Sequence, residues 1–178
     1  MEDLVQAQGA DTAAAVTGGE QLGAGDQGIL YGYACSETEN LLPLPVVLAH
    51  RLTALLSCAR TMGWLDGLRP DGTSQVSVEY AFGVPRPLST IILSCQHAAD
   101  KDLSLLPEEL PELVIAPALR LFPAAEDPEL LIHPSGHFVL GGFEADTGLT
   151  RRQLMVATYG GRVHQGGGSL SGTDGPQV

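Results

Sequence analysis

The chain has 178 residues, which is enough for one ordinary hydrophobic core or for one domain with an appendage. Its 21 acidic residues outnumber nine Lys and Arg, and the net charge of −12 excludes nucleic acid as a partner, because a phosphate backbone needs a basic surface. No apolar run is long enough to cross a bilayer, and the acidic N-terminus lacks a signal-peptide pattern, so we expect a cytoplasmic protein with no membrane partner.

The first 22 residues are rich in Ala, Gly, Gln and Thr and have little hydrophobic periodicity, which indicates a flexible arm. A glycine turn follows from Gly23 to Gly28 and contains one carboxylate, Asp26. Taken by itself, this turn is best explained as an Asx-type turn, in which the Asp side chain hydrogen-bonds to the backbone.

The clearest predicted helix runs from Pro45 to Met62. Its apolar residues recur at spacings of three and four, which is typical of a helix with one buried face. This predicted stripe consists of Leu48, Leu52, Leu55, Ala59 and Met62. Gly63 follows directly, and glycine is the residue that most often terminates a helix. His50 lies off the stripe, so we interpret it as a polar helix residue rather than a ligand.

Two strands and a second helical segment are predicted downstream of this helix. Gln75–Tyr80 alternates in polarity as a half-buried strand does, Leu88–Cys95 is a more apolar strand, and Gly83–Pro87 between them predicts a hairpin loop. The segment Pro107–Leu121 is helical in pattern but contains internal prolines, so it must be kinked or split. Residues 123–129 form an acidic, proline-bearing surface connection. This order of elements predicts an α+β fold with antiparallel strand pairing.

The C-terminal part, Ile132–Gly172, is organised around three glycine clusters. Two of them follow short apolar pieces that resemble strands, Phe138–Leu140 and Leu154–Ala157. With Asp146 and Arg152 between them, these turns could form a pocket for a charged ligand, while a set of hairpin turns explains the glycines equally well.

The sequence favours neither a disulfide framework nor a zinc site. Cys35, Cys58 and Cys95 are odd in number and widely spaced, which predicts reduced, buried thiols. His133 and His137 are four residues apart, but the proline and glycine between them prevent a helix from aligning the two rings.

Four groups of residues resemble the motifs of one enzyme family and occur in that family's order. The groups are Gly23-Ala24-Gly25-Asp26-Gln27-Gly28, then Leu68-Arg69-Pro70-Asp71-Gly72, then Ser94-x-Gln96-His97, and finally Pro134-Ser135-Gly136-x-Phe138 continued by Asp146-x-Gly148-Leu149-Thr150 and Thr158-Tyr159-Gly160-Gly161. On these residues the chain resembles S-adenosylmethionine synthetase, also called methionine adenosyltransferase. The resemblance covers nearly the whole chain but less than half of a usual family member, so we expect a truncated chain.

The resemblance implies an α+β fold with one S-adenosylmethionine-synthetase-like α/β sandwich domain and fragments of its neighbouring domains. We therefore expect three parts. They are a flexible arm resembling the family's active-site loop (1–22), a central α+β domain (23–130), and a glycine-rich strand and loop segment leading into the truncated next domain (131–178).

The resemblance also implies an activity, cofactors and partners. The family joins ATP to methionine, releases the tripolyphosphate and hydrolyses it to phosphate and diphosphate, a transferase reaction of one-carbon metabolism. It uses Mg²⁺ and K⁺, whose ligands we expect to be absent from this chain, so we assign no metal site here. Expected partners are ATP, methionine or S-adenosylmethionine, and a second subunit, either in a homo-oligomer or in a dimer with a fuller family member.

The resemblance assigns roles to six residues of this sequence. For ATP they are Phe138, which matches the residue that stacks on adenine, Ser135, Asp71 and Arg152, which matches an arginine that grips the triphosphate; for methionine or the product they are Asp26 and Asp146.

The phosphate-binding lysines of the family have been replaced in this chain. Their four positions hold Thr73, Gln153, Thr173 and Gln177. Stabilising a tripolyphosphate leaving group requires several preorganised cations, so we assign no catalytic residue and expect little or no activity from the chain alone.

Three hypotheses follow for the function. The chain is a truncated S-adenosylmethionine synthetase homologue with little activity alone, or a non-catalytic module that binds an adenosyl compound or pairs with a full-length subunit, or a decaying fragment. Retained adenosyl-site residues beside lost lysines suit the second hypothesis, and the unpartnered apolar faces of a cut fold suit the third.

Overall fold

The computed structural model describes residues 10–11, 14, 31–120, 122, 128–145 and 153–163. The chain divides into two compact units, one made of Met1–Gly32 with Leu149–Val178 and the other of Tyr33–Gly148. No helix within the described ranges is both long enough and apolar enough to span a bilayer.

Helix α1, Leu44–Thr61, matches the predicted helix to within one residue at each end. Its buried side chains are Leu48, Leu52, Leu56 and Ala59. The predicted stripe was therefore wrong at two positions, since Leu55 is only half-buried and Met62 is 69% exposed. Met62 lies past the last helical turn, where periodicity no longer governs the direction of a side chain.

Both ends of α1 are closed by identifiable hydrogen bonds. At the N-terminus the Glu37 carboxylate accepts the Leu44 N–H at 2.9 Å and the Tyr80 hydroxyl at 2.7 Å, which ties the helix start to a strand. At the C-terminus Gly63 takes φ = 68° and donates to the Arg60 carbonyl, while the Trp64 N–H donates to the Ala59 carbonyl. This is the Schellman arrangement, and it explains why glycine is needed at position 63.

Strands β1, Leu68–Ala81, and β2, Val84–His97, form an antiparallel hairpin that is longer than the sequence suggested. The connecting turn consists of Phe82 and Gly83, both with positive φ, as in a type I′ hairpin. The predicted five-residue loop was wrong, because Pro85 lies inside β2 and pairs with Tyr80. Proline is tolerated there since β3 pairs only with Thr90–Leu93, which leaves this end of β2 at the sheet edge.

Strand β3, Glu129–Ile132, pairs with β2 in parallel and completes a sheet of order β1-β2-β3. The expectation of purely antiparallel pairing was therefore wrong. The physical reason is the connection, because the helical segment between β2 and β3 carries the chain back before β3 begins, as a parallel pair requires. The predicted α+β class is confirmed.

The helical segment is split as its prolines predict. It comprises a 3-10 turn (Leu103–Leu105), helix α2 (Leu106–Leu110), a π-helical turn (Pro111–Ile115) and helix α3 (Ala116–Leu119). The Ala116 N–H donates to the Pro111 carbonyl, five residues back. This wider turn makes room for Pro117, whose ring would otherwise clash with a carbonyl of the preceding turn.

The core lies between the sheet and the helices. Ile91 and Leu93 of β2 pair with Val76 and Ser74 of β1, and the Ser74 hydroxyl donates to the Ala49 carbonyl of α1 at 2.8 Å, so this face of the sheet is covered by α1. The fully or nearly fully buried apolar residues are Leu48, Leu52, Leu56, Ala59, Leu65, Leu88, Ile91, Leu93, Cys95, Leu106, Leu110, Val114, Ile115 and Ala118.

The three cysteines are free thiols, as predicted, but they are not all buried. Cys95 is fully buried, and desolvation raises the pKa of its thiol to about 11. Cys35 is half-buried and Cys58 is exposed, because position 58 lies on the solvent face of α1.

The second unit contains one described helix, α4, Gln153–Ala157, and a 3-10 turn, Gly160–Arg162. The strand-like interpretation of Leu154–Ala157 was therefore wrong, since a run of four apolar residues cannot by itself distinguish a strand from a short helix. Within this unit the Tyr159 hydroxyl lies 3.4 Å from the Tyr31 carbonyl and donates to it.

Candidate adenosyl-binding site

Three of the six predicted site residues lie in the described part of the chain. Asp71 lies near the start of β1, and Ser135 and Phe138 lie in the loop after β3. Asp26, Asp146 and Arg152 lie outside the described residues. Among the former lysine positions, Thr73 is an exposed residue of β1 and Gln153 begins α4, while Thr173 and Gln177 also fall outside the described ranges.

The loop after β3 is anchored at its start. The His133 N–H donates to the Leu93 carbonyl at 2.8 Å, which continues the parallel pairing beyond β3 by one residue. A tight turn follows, in which the Gly136 N–H donates to the His133 carbonyl at 3.0 Å and Gly136 takes φ = 83°. Ser135 is exposed on this turn, where its hydroxyl is accessible to a ligand.

His97 holds Phe138 through two hydrogen bonds. The His97 N–H donates to the Phe138 carbonyl at 2.9 Å, and the Phe138 N–H donates to His97 Nε2 at 3.1 Å. Because Nε2 accepts a proton donor, the ring proton belongs on Nδ1, which lies 2.9 Å from the Ala98 carbonyl. Residues 138–140 are therefore not a strand, as their apolar pattern suggested, but an irregular segment that His97 fixes in place while Phe138 stays half-buried.

Gln96 and Asp71 hold the rest of the same segment. The Gln96 side-chain amide accepts the Asp71 N–H at 3.2 Å and donates to the Val139 carbonyl at 3.0 Å. The Asp71 carboxylate, through Oδ2, accepts the Gly142 N–H at 2.6 Å. Strand β2 thus fixes Phe138 and Val139 from its last two residues, and β1 fixes Gly142.

Gly141 lies where these three contacts meet. A Cβ at this position would lie 2.6 Å from the Gln96 side chain and 2.7 Å from Asp71 Oδ2, both far inside van der Waals contact. Only glycine lets the backbone approach the two side chains this closely.

A buried histidine lies directly beneath this segment. His133 is 7% exposed, its ring centroid is 5.2 Å from that of His97, and neither of its ring nitrogens has a hydrogen-bond partner among the described residues. Burial lowers the pKa of His133 below its usual value, and the neighbouring His97 and His137 lower it further. In the described ranges no three His, Cys, Asp or Glu side chains come together as a metal site.

Comparison with known proteins decides the family. The family model described as S-adenosylmethionine synthetase, central domain, matches residues 21–138, which is more than half of the chain. This chain belongs to the S-adenosylmethionine synthetase family. A second model, S-adenosylmethionine synthetase, C-terminal domain, matches residues 140–178.

Curated S-adenosylmethionine synthases align along almost the whole chain. The protein of Parafrankia sp. (strain EAN1pec) is 48% identical over 181 residues, which cover 97% of this chain and 46% of that protein. The protein of Prochlorococcus marinus (strain NATL1A) is 46% identical over 170 residues, which cover 89% of this chain and 42% of that protein. The protein of a Nitratiruptor species is 46% identical over 171 residues, covering 96% and 43%. The chain thus spans less than half the length of these relatives.

Sequence reasoning missed the residues that position the synthetase motifs relative to one another. Gln96 and His97 were recognised as part of a motif but received no role. The available signal was a pair of polar residues that ends a strongly apolar strand, since buried polar side chains require hydrogen-bond partners.

Lowering the pH is expected to destabilise the larger unit through His133. Because its pKa is lowered by folding, the unfolded chain takes up the proton first as the pH falls below about 6.5, so stability is complete above that pH and decreases below it. We expect a His133→Asn variant to show a smaller decrease in unfolding midpoint between pH 7 and pH 5, since asparagine does not titrate and tolerates the positive φ of this position.

The control for this prediction is His50→Gln, which removes an exposed histidine from α1. Thermal unfolding followed by circular dichroism at a series of pH values measures the effect. A decrease of the same size in wild type and His133→Asn would contradict the assignment to His133.

Proposed function

We propose that this chain provides the adenosyl-binding part of an S-adenosylmethionine synthetase site, and that its central domain binds the adenosine moiety of ATP or S-adenosylmethionine. The supporting observation is the fixation of residues 138–142 by Asp71, Gln96 and His97, which holds Phe138 in a defined, half-buried position. A preorganised aromatic side chain binds a base with little loss of conformational entropy.

Each role in the proposal follows from the chemistry of the side chain. Phe138 stacks on the adenine ring, because an aromatic face suits any base. Asp71 uses one carboxylate oxygen for Gly142 and offers the other to ribose hydroxyls. The exposed Ser135 hydroxyl supplies a further polar contact to the nucleoside.

The remaining roles are carried over from the family motifs. Arg152 grips the triphosphate, because its planar guanidinium pairs with two phosphate oxygens at once. Asp26 and Asp146 bind the charged methionine portion, as carboxylates pair with an ammonium group.

Turnover of ATP and methionine by this chain alone is not part of the proposal. Four positions that carry lysines in the family hold the neutral residues Thr73, Gln153, Thr173 and Gln177. Removing one group that stabilises transition-state charge costs roughly 10²–10³ in rate, and such losses act on a shared unit rather than multiplying. The described residues do not fit a site for Mg²⁺ or K⁺, so no step is routed through a metal ion here.

The proposed partners follow from the same assignment. They are ATP, methionine or S-adenosylmethionine, and a second subunit, either another copy of this chain or a fuller family member that supplies the missing cations. The net charge of −12 is consistent with a small cationic ligand such as S-adenosylmethionine and opposes nucleic acid. We further propose that the chain acts in the cytoplasm.

Thermal unfolding of the purified chain with S-adenosylmethionine, and separately with Mg-ATP, tests this proposal. A ligand that binds the native state raises the unfolding midpoint by mass action. We expect a rise with S-adenosylmethionine, and a smaller one with Mg-ATP because the lysine positions are neutral. A rise of equal size with both would call for an activity assay with a partner chain. No rise with either would favour the decaying fragment.

The Phe138→Ala variant makes the same test specific to the proposed site. Losing a base–aromatic stack costs about 1–3 kcal/mol, so we expect affinity for S-adenosylmethionine, measured by titration calorimetry, to fall by roughly tenfold or more. The control is Phe82→Ala, which removes a fully exposed ring at the hairpin turn and should leave binding unchanged. Equal affinities of wild type and Phe138→Ala would refute the role of this ring.

A further inference from the structure

A polar pocket of about 90 Å³ lies between α1 and the start of β1. Its α1 residues are Thr53, Leu56, Ser57 and Arg60, which follow one another at helical spacing and so share one face of the helix. Its β1 residues are Arg69, Pro70 and Gly72. The pocket has several times the space that one water needs, about 10–15 Å³.

The pocket concentrates positive charge in a strongly acidic chain. Two of the nine Lys and Arg residues, Arg60 and Arg69, line it, and no carboxylate does. Neither guanidinium forms a hydrogen bond or ion pair with another residue of the described ranges. With 21 acidic residues available, two neighbouring arginines without a carboxylate partner leave an unneutralised positive site.

The other lining residues shape this site and add a hydroxyl donor. Gly72 makes room for the Leu56 side chain, since a Cβ there would lie 2.5 Å from Leu56 Cδ2. Leu56 is buried and belongs to the core, so it closes the pocket on that side. The Thr53 hydroxyl already donates to the His50 carbonyl at 3.0 Å, which leaves the Ser57 hydroxyl as the donor available to a ligand.

This pocket is distinct from the candidate adenosyl site. Asp71 is the residue before Gly72, yet its carboxylate accepts the Gly142 N–H, and neither Asp71 nor any residue from 133 to 142 lines the pocket. A ligand in the pocket therefore contacts α1 and β1 and not the loop that holds Phe138.

We propose that this pocket binds one phosphate group, either as inorganic phosphate or as the terminal group of a phosphate monoester. Two guanidinium forks each pair with two oxygens of a tetrahedral oxyanion, and Ser57 donates to a third. A planar carboxylate offers only two oxygens and cannot engage both forks and the hydroxyl at once. The inference does not depend on adenosyl binding.

Titration of ¹⁵N-labelled full-length chain with inorganic phosphate, at constant ionic strength set by chloride, tests the proposal by NMR. We expect saturable shifts of the amide signals of Ser57 and Gly72, and none with chloride alone. Arg60→Gln and Arg69→Gln should each weaken phosphate binding by roughly tenfold or more, as expected for loss of a charge-assisted hydrogen bond. Glycerol phosphate in place of inorganic phosphate distinguishes a monoester site from one that accepts only the free ion.

Three controls keep the outcome specific. Arg86→Gln removes an exposed arginine of β2 outside the pocket and should leave phosphate affinity unchanged. Arg60→Lys keeps the charge but loses the fork, so it should bind more weakly than wild type and more tightly than Arg60→Gln. Phe138→Ala should bind phosphate like wild type. No saturable shifts, or equal losses in Arg86→Gln and Arg60→Gln, would overturn the proposal.

Discussion

Replacing Gly141 by alanine is expected to abolish adenosyl binding and to destabilise the larger unit. The added methyl group would lie 2.6 Å from the Gln96 side chain and 2.7 Å from Asp71 Oδ2, so residues 138–142 must move away from both. Overpacking of this kind costs typically about 1–3 kcal/mol of folding free energy. The movement would also break the Asp71–Gly142 and Gln96–Val139 hydrogen bonds that fix the segment carrying Phe138.

The measurement combines urea unfolding with calorimetric titration of S-adenosylmethionine. A matched control is Gly161→Ala, because a Cβ at that glycine meets no atom within 4 Å. We expect the control to retain stability and binding, and Gly141→Ala to lose both. A Gly141→Ala variant that binds S-adenosylmethionine as tightly as wild type would show that the position of this segment is not needed for binding.

The largest effect on stability is expected for Leu52→Ala. Leu52 is fully buried in the middle of α1, within the core that the helix shares with β1 and β2. Truncating a buried leucine to alanine removes apolar surface and leaves a cavity, which together cost about 2–5 kcal/mol. Since total domain stability is about 5–15 kcal/mol, the variant should be close to unfolding at physiological temperature.

Urea unfolding monitored by circular dichroism measures this loss. The control is Leu105→Ala, because Leu105 is 45% exposed and its truncation leaves no comparable cavity, so the free energy of unfolding should change by about 0.5 kcal/mol or less. Similar midpoints for wild type and Leu52→Ala would show that the core is not packed around this residue.

The sequence by itself determined the features that depend on neighbours along the chain. Helix α1 was predicted to within one residue at each end because its apolar spacing is local, and Gly63 identified its end because a Schellman cap needs positive φ at that position. The prolines of the segment after β2 predicted its splitting for the same reason, as the clash is with the preceding turn. The residues of the four motifs also established the family, which the comparison confirmed.

Tertiary structure decided the features that depend on distant residues. The parallel direction of β3 and the place of Pro85 within β2 depend on which strand lies alongside, and no local pattern encodes that. The adenosyl site is of the same kind, since Phe138 is held by His97, 41 residues earlier, and Val139 by Gln96, 43 residues earlier. Single-residue chemistry identified Phe138 and Asp71 as ligand-binding candidates, but only folding showed why Gly141 lies between them. A hydrogen bond needs its partners within about 3 Å, and that proximity is created when the sheet forms.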